Sequence, residues 1–230
     1  MRRYFLTETL NTRDMGGFQT ESGAVTKFGS LLRSDAPCDL TEQDCDMLLG
    51  MGVSTAIDLR GVGEISRRPS SLASDKRFDS YAFHFEDDHV NEMTGEEDVP
   101  KGYFEMVTRG NTMQGVMRTI AAAPGGVLFH CTAGKDRTGV TAAILYELVG
   151  VPLIDIVTDY QVSETYVRPI VELLFAEFPD MSRFVGLSRP EYIEGFLSRL
   201  HEKFGSVRGF LLSIGITEAE IAQLEKKLLG

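Results

Sequence analysis

The spacing of apolar positions changes along the chain, and each change predicts an element. Phe28 to Ser34 reads as a short extended segment. Thr41 is a candidate N-cap with Asp44 three residues on, so a helix is expected to run to about Leu49, where Gly50 and Gly52 break it. Val53 to Leu59 is a β-branched, apolar run and predicts a buried strand. Tyr81, Phe83 and Phe85 alternate with Ala82 and His84, which predicts a further strand. Residues 86–100 are acidic and contain Gly95 and Pro100, so an exposed loop is expected. Lys101 to Ala123 carries Phe104, Val107, Val116, Met117 and Ile120 at helical spacing, interrupted near Gly110. Val127-Leu128-Phe129 is a short apolar strand, and Val140 to Val149, apolar almost all round, is a buried helix. Thr217 with Glu220 forms a capping box, Ile216 can staple onto Ile221, and Ile221, Leu224 and Leu228 define one face of the last helix. Strands that alternate with helices predict an α/β fold, a central mostly parallel sheet flanked by helices, with a helical C-terminal region. At 230 residues, without repeats or low-complexity linkers, residues 1–230 fit a single domain.

Composition narrows the function. A net charge of −11 and a pI near 4.9 argue against a nucleic-acid partner. An anionic ligand would need a local positive site, for which Arg13, Arg33, Arg60, Lys135 and Arg137 are candidates. Three cysteines, Cys38, Cys45 and Cys131, make no disulfide framework. Neither a secretory signal nor a run long enough for stable membrane insertion is readable, so the cytoplasm is expected, with export by another route left open.

The densest chemistry lies between His130 and Gly139, which read His-Cys-Thr-Ala-Gly-Lys-Asp-Arg-Thr-Gly. A strand enters a small-residue loop, and the loop opens a helix. The N–H groups of Thr132, Ala133, Gly134 and Lys135, followed by a helix N-terminus, make an anion-binding nest. The same field favours the thiolate of Cys131. Arg137 returns on the first helical turn, where its planar fork can hold two phosphoryl oxygens. A thiolate facing a phosphate cradle is the requirement for nucleophilic hydrolysis of a phosphate ester, and it needs neither metal nor cofactor. A merely structural cysteine leaves the cluster of His130, Lys135, Asp136, Arg137 and Thr138 unexplained. A nucleotide-binding loop fails on Phe129, where it needs Gly, and on Asp136, where it needs Ser or Thr. A sulfur-transfer or arsenate-reducing enzyme shares the Cys-to-Arg loop but has no obvious use for Asp136. A pseudoenzyme that only recognises phosphorylated partners would not need Cys131, Asp136 and Arg137 all intact.

This run resembles the signature of the cysteine-dependent phosphatases, and the fuller Ala-Gly-Lys-Asp-Arg-Thr-Gly is similar to bacterial atypical tyrosine and lipid phosphatases. Asn11-Thr12-Arg13-Asp14-Met15-Gly16-Gly17, Leu32-Arg33-Ser34, Asp58-Leu59-Arg60 and Asp159-Tyr160 match that group's flanking pattern in order. The resemblance implies a phosphotyrosine-phosphatase-like fold and a phosphorylated protein or inositol phospholipid as substrate. It also implies the general acid. Many tyrosine phosphatases take it from a Trp-Pro-Asp loop, but this chain has no Trp. In the resembling group it is the aspartate just before the loop arginine, here Asp136. A neighbouring phosphate dianion favours the protonated carboxyl that this role requires. The alternative for Asp136 is a residue serving the helix dipole, and Asp14, Asp58, Asp87 and Asp88 are its rivals as acid.

The other residues carry paired readings. His130 is expected to donate hydrogen bonds that fix the loop, and Thr138 to bond the Cys131 sulfur or simply start the helix. Lys135 is a point charge beside the phosphate, within reach of a second phosphate on the substrate, or a solvated loop lysine. Arg60 faces the phosphate pocket or braces the loop through Asp58 or Asp14. Arg13 and Asp14 lie in a turn packed beside the site. The run from His84 to His89 reads as a strand end entering an acidic loop rather than a metal site. In the resembling group helices after the central one can cover the active site. Residues 161–189, with Leu173, Leu174, Phe175 and Phe178, are the candidate cover here, or else pack into the core.

Overall fold

The structure, a computed structural model, describes residues 2–85 and 95–230. Its five strands are β1 (Arg13–Asp14), β2 (Leu31–Ser34), β3 (Val53–Asp58), β4 (Asp79–Ala82) and β5 (Gly126–His130). They form one sheet in the order β1-β2-β5-β3-β4, with β1 antiparallel to β2 and every other pair parallel. Parallel neighbours need crossovers. Helix α1 (Glu42–Gly50) lies between β2 and β3, and α2 (Val62–Arg67) and α3 (Ser71–Ser74) lie between β3 and β4. Helices α4 (Val99–Thr108) and α5 (Thr112–Ala122) precede β5. After it come α6 (Asp136–Leu148), α7 (Leu153–Glu177), α8 (Pro190–Phe204), α9 (Val207–Ser213) and α10 (Glu218–Leu229), which is the expected helical C-terminal region.

The sheet is buried on both faces because adjacent residues of its strands enter different apolar clusters. Leu31, Val127, Phe129 and Ile57 join the larger cluster, with α4 to α10. Leu32, Leu128 and Ala56 join the smaller one, with Leu48 of α1 and Leu72 of α3. Val127, Leu128 and Phe129 are completely buried, and burial of such side chains contributes about 1.5–3 kcal/mol each. The central strand is thus a rigid mount. Helix α6 is equally enclosed, from Thr138 to Tyr146.

Both expected capping boxes are present, Thr41 with Asp44 and Thr217 with Glu220. Ile216 and Ile221 are both buried in the core, as a hydrophobic staple requires. The helix interruption falls at Gly110, whose φ of 62° ends one helix before the next begins. Two expectations need correction. The strand around Tyr81 is displaced: β4 ends at Ala82, because its register is set by pairing of Asp79–Ala82 with Thr55–Asp58. All four β4 residues are exposed at the sheet edge, while Phe85 beyond the strand is buried. Pro100 lies not in a loop but in the first turn of α4, where a missing N–H costs no helix bond. Asp87, Asp88 and the rest of residues 86–94 lie outside the described residues. Among the described residues no helix is long and apolar enough to cross a membrane.

Candidate active site

Strand β5 ends at His130, Cys131 stands one residue beyond it, and α6 starts at Asp136 with Lys135 as its N-cap. The loop between them is held from behind. The Thr132 carbonyl accepts the Ala36 N–H at 3.2 Å. The Asn11 amide donates to the carbonyls of Ala133 (2.9 Å) and Gly134 (3.1 Å). Arg33 Nη2 donates to the Gly134 carbonyl at 2.8 Å. With its carbonyls tied back, the loop presents its N–H groups: those of Thr132, Ala133, Gly134 and Lys135 donate to no protein acceptor among the described residues. Gly134 is indispensable to this path. Its φ is +66°, and a Cβ there would stand 2.5 Å from the Asp35 nitrogen and 2.6 Å from the Ser34 carbonyl.

Behind the loop lies a buried ionic cluster. Asp159 of α7 meets Arg2 at 3.2 Å, Arg13 Nε at 3.1 Å and Arg33 Nη1 at 2.7 Å. Arg13 also donates to the Asn11 side-chain oxygen (2.5 Å) and to Ser163 (2.9 Å). Burial opposes the Asp159 carboxylate, but the Arg13 and Arg33 charges outweigh it and hold the carboxyl at about 2. Burial lowers the Arg33 guanidinium to about 10, which leaves it charged at neutral pH. Asn11 therefore ties the loop back directly, and Arg13 holds Asn11 in place from behind. The Asp14 carboxylate accepts the N–H groups of Gly16 (2.8 Å) and Gly29 (2.9 Å) and the Tyr4 hydroxyl (3.0 Å), so it serves a turn.

At the front, Arg137 forms a fork to Glu64 of α2, at 2.5 Å from Nη1 and 2.9 Å from Nη2. The Thr132 hydroxyl also donates to Glu64. Burial works against the Glu64 carboxylate, yet the Arg137 and Thr132 hydrogen bonds and the Arg137 charge bring it down to about 2. Glu64 was not among the residues singled out from sequence. Its signal is the third helical position after a buried strand, where its carboxylate also caps the Gly61 N–H at 2.8 Å. Asp136 is partly exposed, and its Oδ1 accepts from the Tyr103 hydroxyl and lies 3.1 Å from Lys135 Nζ.

Four expectations change. Arg60 is not turned to a phosphate: its guanidinium grips Asp58 at 2.7–3.2 Å and the Arg68 carbonyl at 2.9 Å. It is the bracing alternative, and a buried carboxylate two residues away is the reason. Burial opposes the charged form of Asp58, but the bonds from Arg60 outweigh it and keep its carboxyl below the usual range. That removes Asp58 as a proton donor near neutral pH. Lys135 is buried, with Nζ 2.7 Å from the carbonyls of both Val185 and Leu187. Its charge fastens the Arg183–Gly186 turn to the loop instead of waiting beside a phosphate. The Thr138 hydroxyl is fully buried and has no hydrogen-bond partner, so the expected bond to the Cys131 sulfur is not made. Both nitrogens of His130 also lack a partner, and Nε2 lies 3.7 Å from Asp58. Burial pushes that imidazole down to about 4, so it is neutral near pH 7. It supports the loop by packing, not by donating. Among the described residues no group of three or more His, Cys, Asp or Glu side chains is placed to hold a metal ion.

A cysteine at the end of a central parallel strand, a loop with unengaged N–H groups and an arginine held by Glu64 form an arrangement that can receive an anion. Comparison with known proteins shows the family. A tyrosine phosphatase family model matches residues 4–230, and the chain belongs to that family. A tyrosine-protein phosphatase from Nostoc commune is 36% identical over 82% of this chain and 70% of its own. The triple specificity protein phosphatase PtpB of Mycobacterium tuberculosis is 27% identical over 96% of each chain. A structure of Pseudomonas aeruginosa TpbA in complex with pTyr aligns with a TM-score of 0.43 and 16% identity, over 86% of this chain and all of that one. The protein is an enzyme, a tyrosine phosphatase.

Proposed function

We propose that the chain hydrolyses phosphate monoesters by way of a cysteinyl-phosphate, with phosphotyrosine as the main substrate. The Cys131 thiolate attacks phosphorus, and the bond from phosphorus to the tyrosyl oxygen breaks. Asp136 gives its proton to that oxygen as it leaves. Water then attacks the phosphorus of the thioester-like intermediate, the Asp136 carboxylate takes up the water's proton, and inorganic phosphate and the thiolate are released. Throughout, the loop N–H groups and Arg137 hold the equatorial oxygens, whose charge grows in the transition state.

The observation that carries this reading is the loop itself, carbonyls bound from behind and N–H groups unengaged, between Cys131 and Arg137. The free state of Cys38, Cys45 and Cys131 suits a reducing cytoplasm. The name of the mycobacterial relative supports testing substrates beyond phosphotyrosine. Engagement of Lys135 by Val185 and Leu187 removes one reason to expect a second phosphate beside it.

The test is a panel of phosphotyrosine peptides, phosphoserine peptides and inositol phospholipids, run with the parent and Cys131→Ser in the presence and absence of EDTA. Cys131→Ser should bind phosphorylated substrates without turnover, and parent activity should survive chelation and be blocked by vanadate, which can occupy the cradle as a pentacoordinate mimic. Appreciable turnover by a clean Cys131→Ser preparation defeats the covalent route. Binding of phosphopeptides without turnover by the parent would make the chain a recognition module, and turnover of thiosulfate or arsenate alone would make it a transfer or reducing enzyme.

A further inference from the structure

Tyr103 has no role in the steps above, yet it touches the proposed acid. Its hydroxyl donates to Asp136 Oδ1 and lies 2.7 Å from the Tyr160 hydroxyl. Tyr103 comes from α4, Tyr160 from α7 and Asp136 from α6, so three helices converge on one carboxyl. Tyr103 is only 4% exposed and Tyr160 1%. Their rings meet edge-on at 6.3 Å, and Phe196 packs on Tyr103 at 6.4 Å, so the hydroxyl has little room to turn away.

We infer that Tyr103 is a positioning residue for the general acid, and that with Lys135 it assigns the acid proton to Asp136 Oδ2. This rests on the reading of Asp136 as the acid. Each group facing the carboxyl is a donor. Lys135 Nζ approaches Oδ1 from the loop at 3.1 Å, and Tyr103 approaches the same oxygen from α4. Tyr160 from α7 stands behind Tyr103. No other described residue pairs with Asp136. A proton on Oδ1 would confront two donors at once, whereas Oδ2 accepts no hydrogen bond among the described residues. The proton therefore belongs on Oδ2, the oxygen left to face a leaving group.

Because a phenol has one proton, donation from Tyr103 to Asp136 obliges Tyr160 to donate to Tyr103. The chain of donation runs from Tyr160 through Tyr103 to Asp136. Burial, first, and the neighbouring carboxylate hold both phenols well above their ordinary pKa, so neither loses its proton in the working range. The Tyr103 hydroxyl and the Lys135 ammonium both interact best with the carboxylate form, so loss of one of them favours the protonated acid relative to the parent.

Tyr103→Phe keeps the ring and removes only the donor. On phosphotyrosine, the high-pH limb of the kcat/KM profile should move to higher pH by about one unit, as loss of a hydrogen bond to a charged group implies. On an activated aryl phosphate, which leaves without an acid, the profile should stay in place. Tyr160→Phe should move the limb in the same direction by less, and it stands in if Tyr103→Phe does not fold. Equal slowing of both substrates at every pH, without movement of the limb in either variant, overturns the inference. Asp136→Asn, run beside them, separates the two levels of argument. If it abolishes the limb while the tyrosine variants leave it unmoved, only the positioning role falls. If it leaves the limb intact, Asp136 is not the acid, and the role of Tyr103 falls with it.

Discussion

Replacement of Asp159 by Asn tests whether the cradle rests on charge or on shape. Asp159 is completely buried and faces Arg13 and Arg33, whose side chains are 2% and 1% exposed. Its carboxyl is held at about 2 against an ordinary 3.8, a preference for the ionised form on the order of 2 kcal/mol in the fold. Full burial means that solvent screening does not discount it. Asn supplies one oxygen but turns an amide N–H₂ toward guanidinium donors, and it leaves buried cations without a counter-charge. Removing one partner of a buried pair costs about 3–5 kcal/mol. For a chain of this length each kcal/mol shifts the melting midpoint by about 2–4 °C, so Asp159→Asn should melt on the order of 10 °C below the parent. Arg2, 30% exposed in the same cluster, supplies the control: Arg2→Gln should cost at most about 1 kcal/mol.

The pH dependence gives a second readout by calorimetry or circular dichroism. A carboxyl depressed by folding contributes its stability above its unfolded value of 3.8 and loses it as the pH falls through about 2. The gap between parent and variant should therefore be constant from neutral pH to about 4 and close below that. A midpoint for Asp159→Asn within about 2 °C of the parent at pH 7, less than 1 kcal/mol, would refute the claim that this cluster holds the loop.

Three further outcomes follow from the site. Glu64→Gln keeps the shape that orients Arg137 but removes its charge, and should lower kcat/KM on the order of tenfold in steady-state assays, whereas an unchanged value would mean that Arg137 needs no partner. His130 is neutral in the fold down to about 4 but takes a proton in the unfolded chain below about 6.5. Stability should thus fall by about 3 kcal/mol as the pH drops from 6.5 to 4, seen as a lower urea midpoint, and His130→Asn should flatten that slope. Gly134→Ala should cost at least about 1–2 kcal/mol from left-handed backbone alone, and should abolish vanadate binding because the added Cβ meets the Ser34–Asp35 backbone. Retention of tight vanadate binding would show that the loop has another path.

What the sequence revealed was local. Capping boxes join residues three apart, so Thr41–Asp44 and Thr217–Glu220 were readable, as was the Cys131 to Arg137 spacing. What it hid was the choice of partner. Arg137 finds Glu64 across 73 positions, and Lys135 finds Val185 across 50. Nothing in a lysine's neighbours tells whether its ammonium meets a phosphate or two carbonyls. The alternation of Tyr81, Phe83 and Phe85 misled for the same reason. It records which side chains go inward, but the extent of β4 is set by β3, its partner in the sheet. Arg60 is the intermediate case: its carboxylate partner lies only two residues away, so bracing was visible as an alternative, but not decidable.

The pairing pattern also gives a chain of net charge −11 a route to holding a phosphate in the proposed cradle. Around the cradle, cations stand against carboxyl groups: Arg60 against Asp58, Arg137 against Glu64, Lys135 against Asp136. The Asp159 cluster does not cancel. It sets the buried Arg13 and Arg33, with the partly exposed Arg2 at its edge, against a single carboxylate, a buried surplus of one positive charge. Asp35, which accepts the N–H groups of Leu10 and Asn11 nearby, offsets that charge only while ionised, and burial pushes its carboxyl up, toward the neutral form. The remaining surplus is transmitted through Arg33, whose Nη2 touches the Gly134 carbonyl from behind. In a buried, low-dielectric setting such a charge is weakly screened, so it adds to the field of the N–H groups and the α6 terminus on the other side of the same peptide. The positive potential at the site thus comes from a buried source, and the acidic surface need not be reversed to create it.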